Sequence, residues 1–131
     1  DFTLITPAGY EARSSIIDKA HVLAKESGSK LIITSDINSI GNQDVIYTDT
    51  WISMGDEEAH KKSKVIAHFS PYQVNHTLMA NTKARVVMHC QPAHLEEEIT
   101  TELFDSDMSV VFQQAENRMW AQNAVLVTLL K

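Results

Sequence analysis

The chain has 131 residues, a formal charge of −6 and a hydrophobic fraction of 44%. That suits one soluble globular domain, and no apolar run approaches the roughly 18 residues a membrane span needs. The acidic balance argues against nucleic acid as a partner, because phosphate backbones require clustered Lys and Arg. The single cysteine excludes an internal disulfide and fits a reducing, cytoplasmic setting.

Phe2 to Thr6 reads as a buried strand, so the chain opens inside an element and reads as part of a longer protein. Pro7-Ala8-Gly9 turns the backbone. A helix is expected over Tyr10 to Glu26, where Ile16, Ile17, Ala20, Leu23 and Ala24 share one face. Ser27-Gly28 closes it, glycine being favoured just past a helix C-terminus. Lys30 to Thr34 is a second strand, Asp36 to Gln43 a loop or single helical turn, and Asp44 to Thr48 a third strand. Trp51 to Asp56 follows as a loop. Glu57 to Phe69 is a charged helix whose Lys61, Lys62 and Lys64 lie one turn from Asp56-Glu57-Glu58, a solvated face. Pro71 is expected to open the next helix, to about Ala80. Arg85 to Met88 is a fourth strand, Gln91 to Glu98 a loop, Thr100 to Phe104 a short helix, and Ser109 to Phe112 a fifth strand. Ala115 to Leu130 closes the chain as a helix, and its Met119, Trp120, Ala124, Val127 and Leu130 suit a face packed on a sheet.

Strands alternating with helices predict an α/β fold, a Rossmann-like parallel sheet with helices on both faces. The short continuous apolar strands fit coverage on both sides. In such sheets ligands bind beyond the carboxyl ends of the strands. Three polar motifs stand just after strands: Asp49 to Gly55, His89-Cys90-Gln91-Pro92, and Ala115-Glu116-Asn117-Arg118.

Each motif offers a chemistry and an ordinary alternative. Asp49 suits an ammonium group, with Ser53 and the N–H groups of Met54 and Gly55 suited to a carboxylate, which together would recognise an α-amino acid. Otherwise Asp49 caps a turn. Cys90 is a nucleophile only if a base or cation lowers its pKa. His89 is a poor partner for it, since neighbours on a strand face opposite sides. Otherwise Cys90 is a small buried hydrophobe. Arg118 falls in the first turn of the expected last helix, where a cation opposes the helix dipole. It therefore reads as placed for an anion or a polarised carbonyl, unless it pairs with Glu116. The histidines show no zinc spacing, so no metal site is expected. No GxGxxG or phosphate-cradling glycine loop is present.

Together the motifs resemble the ornithine carbamoyltransferases, a resemblance running from about Phe2 to the end of the chain. The family's Asp-x-x-x-Ser-Met-Gly stands here as Asp49 to Gly55, its His-Cys-Leu-Pro as His89-Cys90-Gln91-Pro92 with Gln91 in place of Leu, and its Ala-Glu-Asn-Arg as Ala115 to Arg118. The resemblance implies that residues 1–131 are the second, ornithine-binding domain of a two-domain enzyme. The first strand of that domain is missing from the chain. So is the carbamoyl-phosphate domain, with its Ser-Thr-Arg-Thr-Arg and His-Pro-x-Gln motifs. It implies that Asp49, Ser53 and the Met54 backbone bind the amino and carboxylate groups of L-ornithine. Cys90 and the carbonyl of Gln91 would contact the carbamoyl group, and Arg118 would polarise its oxygen. It further implies carbamoyl phosphate as second substrate, no cofactor, a homotrimer, and no catalysis by this chain alone. Putrescine, an acylated ornithine or aspartate as the acceptor, and a non-catalytic binding domain of the same fold, are the competing readings.

Overall fold

β1 (Phe2–Ile5) and β2 (Leu31–Thr34) pair in parallel, with Phe2 opposite Leu31 and Ile5 opposite Thr34. The computed structural model in which they are seen describes residues 1–52 and 59–130, excluding the side chains of 59–61. The strands are joined by α1 (Ser14–Ser27), ended by Gly28 in the left-handed region at φ 72°. There the glycine amide donates to the Ala24 carbonyl, as the expected C-cap requires. The helix starts four residues later than Tyr10, because Tyr10 N–H is spent on the Pro7 carbonyl in the turn. A short 3₁₀ turn, Ile37–Ser39, capped by the Asp36 side chain on Asn38 N–H, ends this unit, Asp1–Gly41. Within it only Pro7 is buried.

The second unit, Asn42–Lys131, holds the core. β3 (Val45–Thr48) and β4 (Val86–His89) pair in parallel, Val45 on Val86 through Thr48 on His89. Between them run α2 (Ala59–Phe69), a 3₁₀ turn Ser70–Tyr72, and α3 (His76–Thr82). Pro71 therefore opens only the 3₁₀ turn. The helix waits for Asn75, whose side chain caps Leu78 N–H, because Val74 is drawn into a bridge with Ile99. After β4 come α4 (Thr101–Phe104) and α5 (Val111–Leu129). Met79, Val87, Ile99, Leu103 and Val111 are at most 1% exposed and form the centre of the core. Each such side chain contributes roughly 1.5–3 kcal/mol through burial.

Two expectations for the last third are overturned. The strand over Ser109 to Phe112 shrinks to one bridge, Val87 with Ser109. Val87 accepts from Val110 N–H and donates to the Met108 carbonyl, and helix α5 begins at the next residue, four earlier than Ala115. A short β-branched run fits a strand or a buried first helical turn equally well. The buried Val111 and the edge-on contact of Phe104 with Phe112, 5.7 Å between ring centres, favour the helix here. Nor is the face of α5 packed on a sheet. Met119, Trp120, Val127 and Leu130 are all exposed, and Val111 is the buried residue of the helix. Among the described residues all strand pairings are parallel, as the α/β reading predicts, and they form two two-stranded sheets, one in each unit.

Candidate functional site

Two of the motif residues, Asp49 and Cys90, meet at the carboxyl ends of β3 and β4. Asp49 follows β3 directly and Cys90 follows β4. Parallel in-register pairing of Thr48 with His89 sets these two next residues side by side. The Cys90 thiol donates to Asp49 Oδ1 at 2.8 Å, and Thr50 N–H donates to the same oxygen at 2.7 Å. Asp49 is exposed, and its Oδ2 has no hydrogen-bond partner among the described residues. The loop beyond it is held down by Ile52, 8% exposed, and by Trp51 lying 5.6 Å from the Phe69 ring on α2. Ser53, Met54 and Gly55 lie outside the described residues.

Burial pushes the Cys90 thiol above its ordinary range, and the Asp49 carboxylate pushes the same way by accepting a hydrogen bond from the protonated thiol and by its charge. Tyr47, which also interacts with the thiol, has its phenol raised by burial and by the neighbouring Cys90. The thiol is therefore protonated at neutral pH, the opposite of an activated nucleophile. In Asp49→Asn the thiol pKa falls, so alkylation by iodoacetamide at pH 8 runs faster than in the wild type. The wild-type rate rises mainly above the ordinary thiol value of 9.0. Equal rates in the two proteins would show that Asp49 does not control the thiol.

Strand alternation places His89 as expected, away from Cys90. His89 is 1% exposed, and its Nε2 meets Glu98 Oε1 at 2.9 Å. Gln91 N–H donates to His89 Nδ1 at 2.8 Å, which assigns the proton to Nε2 and makes the ring neutral. Gln91 itself has φ 56°, a left-handed conformation unusual for its type. Glu98 also accepts from His94 N–H at 2.6 Å. Burial raises the Glu98 carboxyl, but the hydrogen bonds from His89 and the His94 backbone outweigh it and hold the group below its ordinary range.

His94 Nδ1 in turn lies 2.8 Å from Thr50 Oγ1, beside Asp49. On the other side, His89 N–H donates to Gln114 Oε1 at 3.1 Å, and Gln114 Nε2 donates to the Tyr47 hydroxyl at 3.2 Å. A nearly closed ring of contacts thus links Asp49, Thr50, His94, Glu98, His89, Gln114, Tyr47 and Cys90. Sequence reasoning missed Tyr47, Thr50, Gln114 and Glu98. The signal for Glu98 was hidden in the run Glu96-Glu97-Glu98, which looks like solvated charge.

Arg118 departs from expectation. Since α5 starts at Val111, it lies beyond the first turn, and free N–H groups are confined to that turn. The dipole argument therefore does not apply to it. Pairing with Glu116 is also absent among the described residues: Trp120 Nε1–H donates to Glu116 at 3.4 Å. Residues two apart on a helix do not face each other. Arg118 is exposed and has no hydrogen bond or ion pair among the described residues. It follows Gln114 by one turn, so both share a face, and helical side chains lean toward the N-terminus.

Lys62, still partly exposed on its helix, has a partner the sequence does not point to. It pairs with Glu97 across the unit at 3.3 Å, while 56–58 lie outside the described residues. His94, Glu97 and Glu98 bring one ligand atom each within 4.8 Å of one another. Thr50, Lys62 and His89 already engage them, so the group reads as a network of protein contacts. No helix among the described residues is long and apolar enough to cross a membrane.

Comparison with known proteins shows the family and the fold. Residues 1–129 match the family model described as "Aspartate/ornithine carbamoyltransferase, Asp/Orn binding domain". The chain is 47% identical to the ornithine carbamoyltransferase of Vibrio sp. (strain 2693), an alignment covering 100% of this chain and 43% of that protein. It is 47% identical to the ornithine carbamoyltransferase of Thermoplasma volcanium, named catabolic, over 99% of this chain and 43% of that protein. The solved ornithine carbamoyltransferase of Pyrococcus furiosus superposes with a TM-score of 0.86 at 43% identity, over 96% of this chain and 40% of that one. The chain thus spans less than half the length of these relatives. With its parallel α/β fold and the family model matched over residues 1–129, the chain belongs to the aspartate/ornithine carbamoyltransferase family.

Proposed function

We propose that this chain is the ornithine-binding domain of an enzyme that transfers the carbamoyl group of carbamoyl phosphate to the δ-amino group of L-ornithine. The observation that carries this reading is the Asp49–Cys90 pair. One carboxylate oxygen is occupied by the thiol and the Thr50 amide, and the other is available to an ammonium group. Ser53 and the Met54 backbone take the α-carboxylate. Cys90 and the Gln91 carbonyl contact the carbamoyl group, and Arg118 polarises its oxygen.

The neutral δ-amine attacks the carbamoyl carbon. A C–N bond forms, the C–O bond to phosphate breaks, and the proton lost by the amine ends on the departing phosphate, giving L-citrulline and hydrogen phosphate. Deprotonating a lysine-like amine at pH 7 costs about 4–5 kcal/mol. Orienting the two substrates supplies about 7–11 kcal/mol, and one donor to the developing oxyanion about 3–4 kcal/mol. The sum suffices without a covalent intermediate on Cys90, in keeping with a thiol held protonated. The phosphate is held by the carbamoyl-phosphate domain of the same protein. That domain, the homotrimer and the cytoplasmic location are carried over from the family resemblance, and no cofactor enters the scheme.

Steady-state rates of the intact protein with L-ornithine, N-acetyl-L-ornithine, putrescine and L-aspartate test the assignment. L-Ornithine is expected to be the preferred acceptor by a wide margin. Equal or better turnover of any of the other three would overturn it.

A further inference from the structure

We propose that Glu98 is a positioning residue of this site, acting through His89 and His94 on the two loops that carry Cys90 and Asp49. The inference rests on the proposed function and adds a residue that touches neither substrate.

Glu98 is fully buried, and no lysine or arginine is paired with it among the described residues. Its one strong lateral partner, His89, is a neutral ring, because His89 Nδ1 accepts the Gln91 amide. A buried carboxylate without a cation is costly unless hydrogen bonds compensate. Here the compensating donors are those that fix the site. One arm runs from Glu98 Oε1 to His89 Nε2, and from His89 Nδ1 to Gln91 N–H. It holds Gln91 at φ 56°, a conformation that persists only where its surroundings enforce it. Cys90 lies between the two residues so fixed. The other arm runs from Glu98 Oε1 to His94 N–H, from His94 Nδ1 to Thr50 Oγ1, and from Thr50 N–H to Asp49 Oδ1. One buried carboxylate oxygen thus sets the separation of the Asp49 and Cys90 loops.

The test uses Glu98→Gln and Thr50→Val, singly and combined, in the intact protein, with KM for each substrate and thermal unfolding measured. Both single variants are expected to raise the ornithine KM about 5- to 20-fold, the scale of a charge-assisted hydrogen bond partly lost. The carbamoyl phosphate KM should stay within about twofold, since that ligand is held mainly elsewhere. The double variant should be no worse than the poorer single one, because both changes interrupt the same arm. General loosening would move both KM values together, and that result overturns the proposal, as would effects that simply add. If Glu98→Gln fails to fold, Thr50→Val alone decides: a selective rise in ornithine KM supports the proposal and an unchanged value overturns it. An active wild type with unaffected variants sinks only the role of Glu98. A folded wild type that forms no citrulline sinks the proposed function itself.

Discussion

Replacing Arg118 by alanine in the intact protein is expected to lower kcat by about 10²- to 10³-fold, the effect of losing one preorganised donor to an oxyanion. The ornithine KM should move by no more than a few-fold, because the carbonyl oxygen gains its full charge only in the transition state. Three structural facts support so large an effect. Arg118 is exposed, it has no partner among the described residues, and it shares a helix face with Gln114, which reaches the ends of both β3 and β4. A charge with no structural partner can be removed with little cost to the fold, so a kcat loss would not be a folding loss. Arg118→Lys keeps the charge but not the planar fork and should recover only part of the rate. A kcat within threefold of wild type in Arg118→Ala would remove Arg118 from the reaction.

Asp49→Asn is expected to weaken ornithine binding about 10- to 150-fold, the range for a charge-assisted contact worth about 1.5–3 kcal/mol. Carbamoyl phosphate binding should be unchanged. The substitution isolates charge from shape. The asparagine carbonyl can still accept the Cys90 thiol and the Thr50 amide, the two bonds that orient Asp49 in the loop. What disappears is the negative charge. Calorimetry with ornithine, under saturating carbamoyl phosphate, reads the effect directly. An unaltered ornithine affinity would leave Asp49 as a turn residue that happens to hold a thiol.

The sequence by itself determined the pieces whose causes are local. Gly28 ends α1 because the left-handed position there costs glycine nothing. Alternation along β4 separates His89 from Cys90. The three motifs identified the family by their own residues and their order along the chain.

Tertiary structure decided the rest, wherever two local answers were nearly equal. Val110 to Phe112 fits a strand or a helix start. One bridge to Val87 and the burial of Val111 select the helix, which moves Arg118 out of the first turn and brings Gln114 to the strand ends. Glu98 looks like one acid among three. Only the fold shows it fully buried between His89 and His94, because hydrogen bonds that link residues distant in the chain leave no periodic trace. The apolar face of α5 shows the same limit from the other side. Its pattern requires a covering surface, and within this chain Met119, Trp120 and Val127 stay exposed. A pattern fixes which face seeks a partner, and only three-dimensional packing determines whether that face is covered.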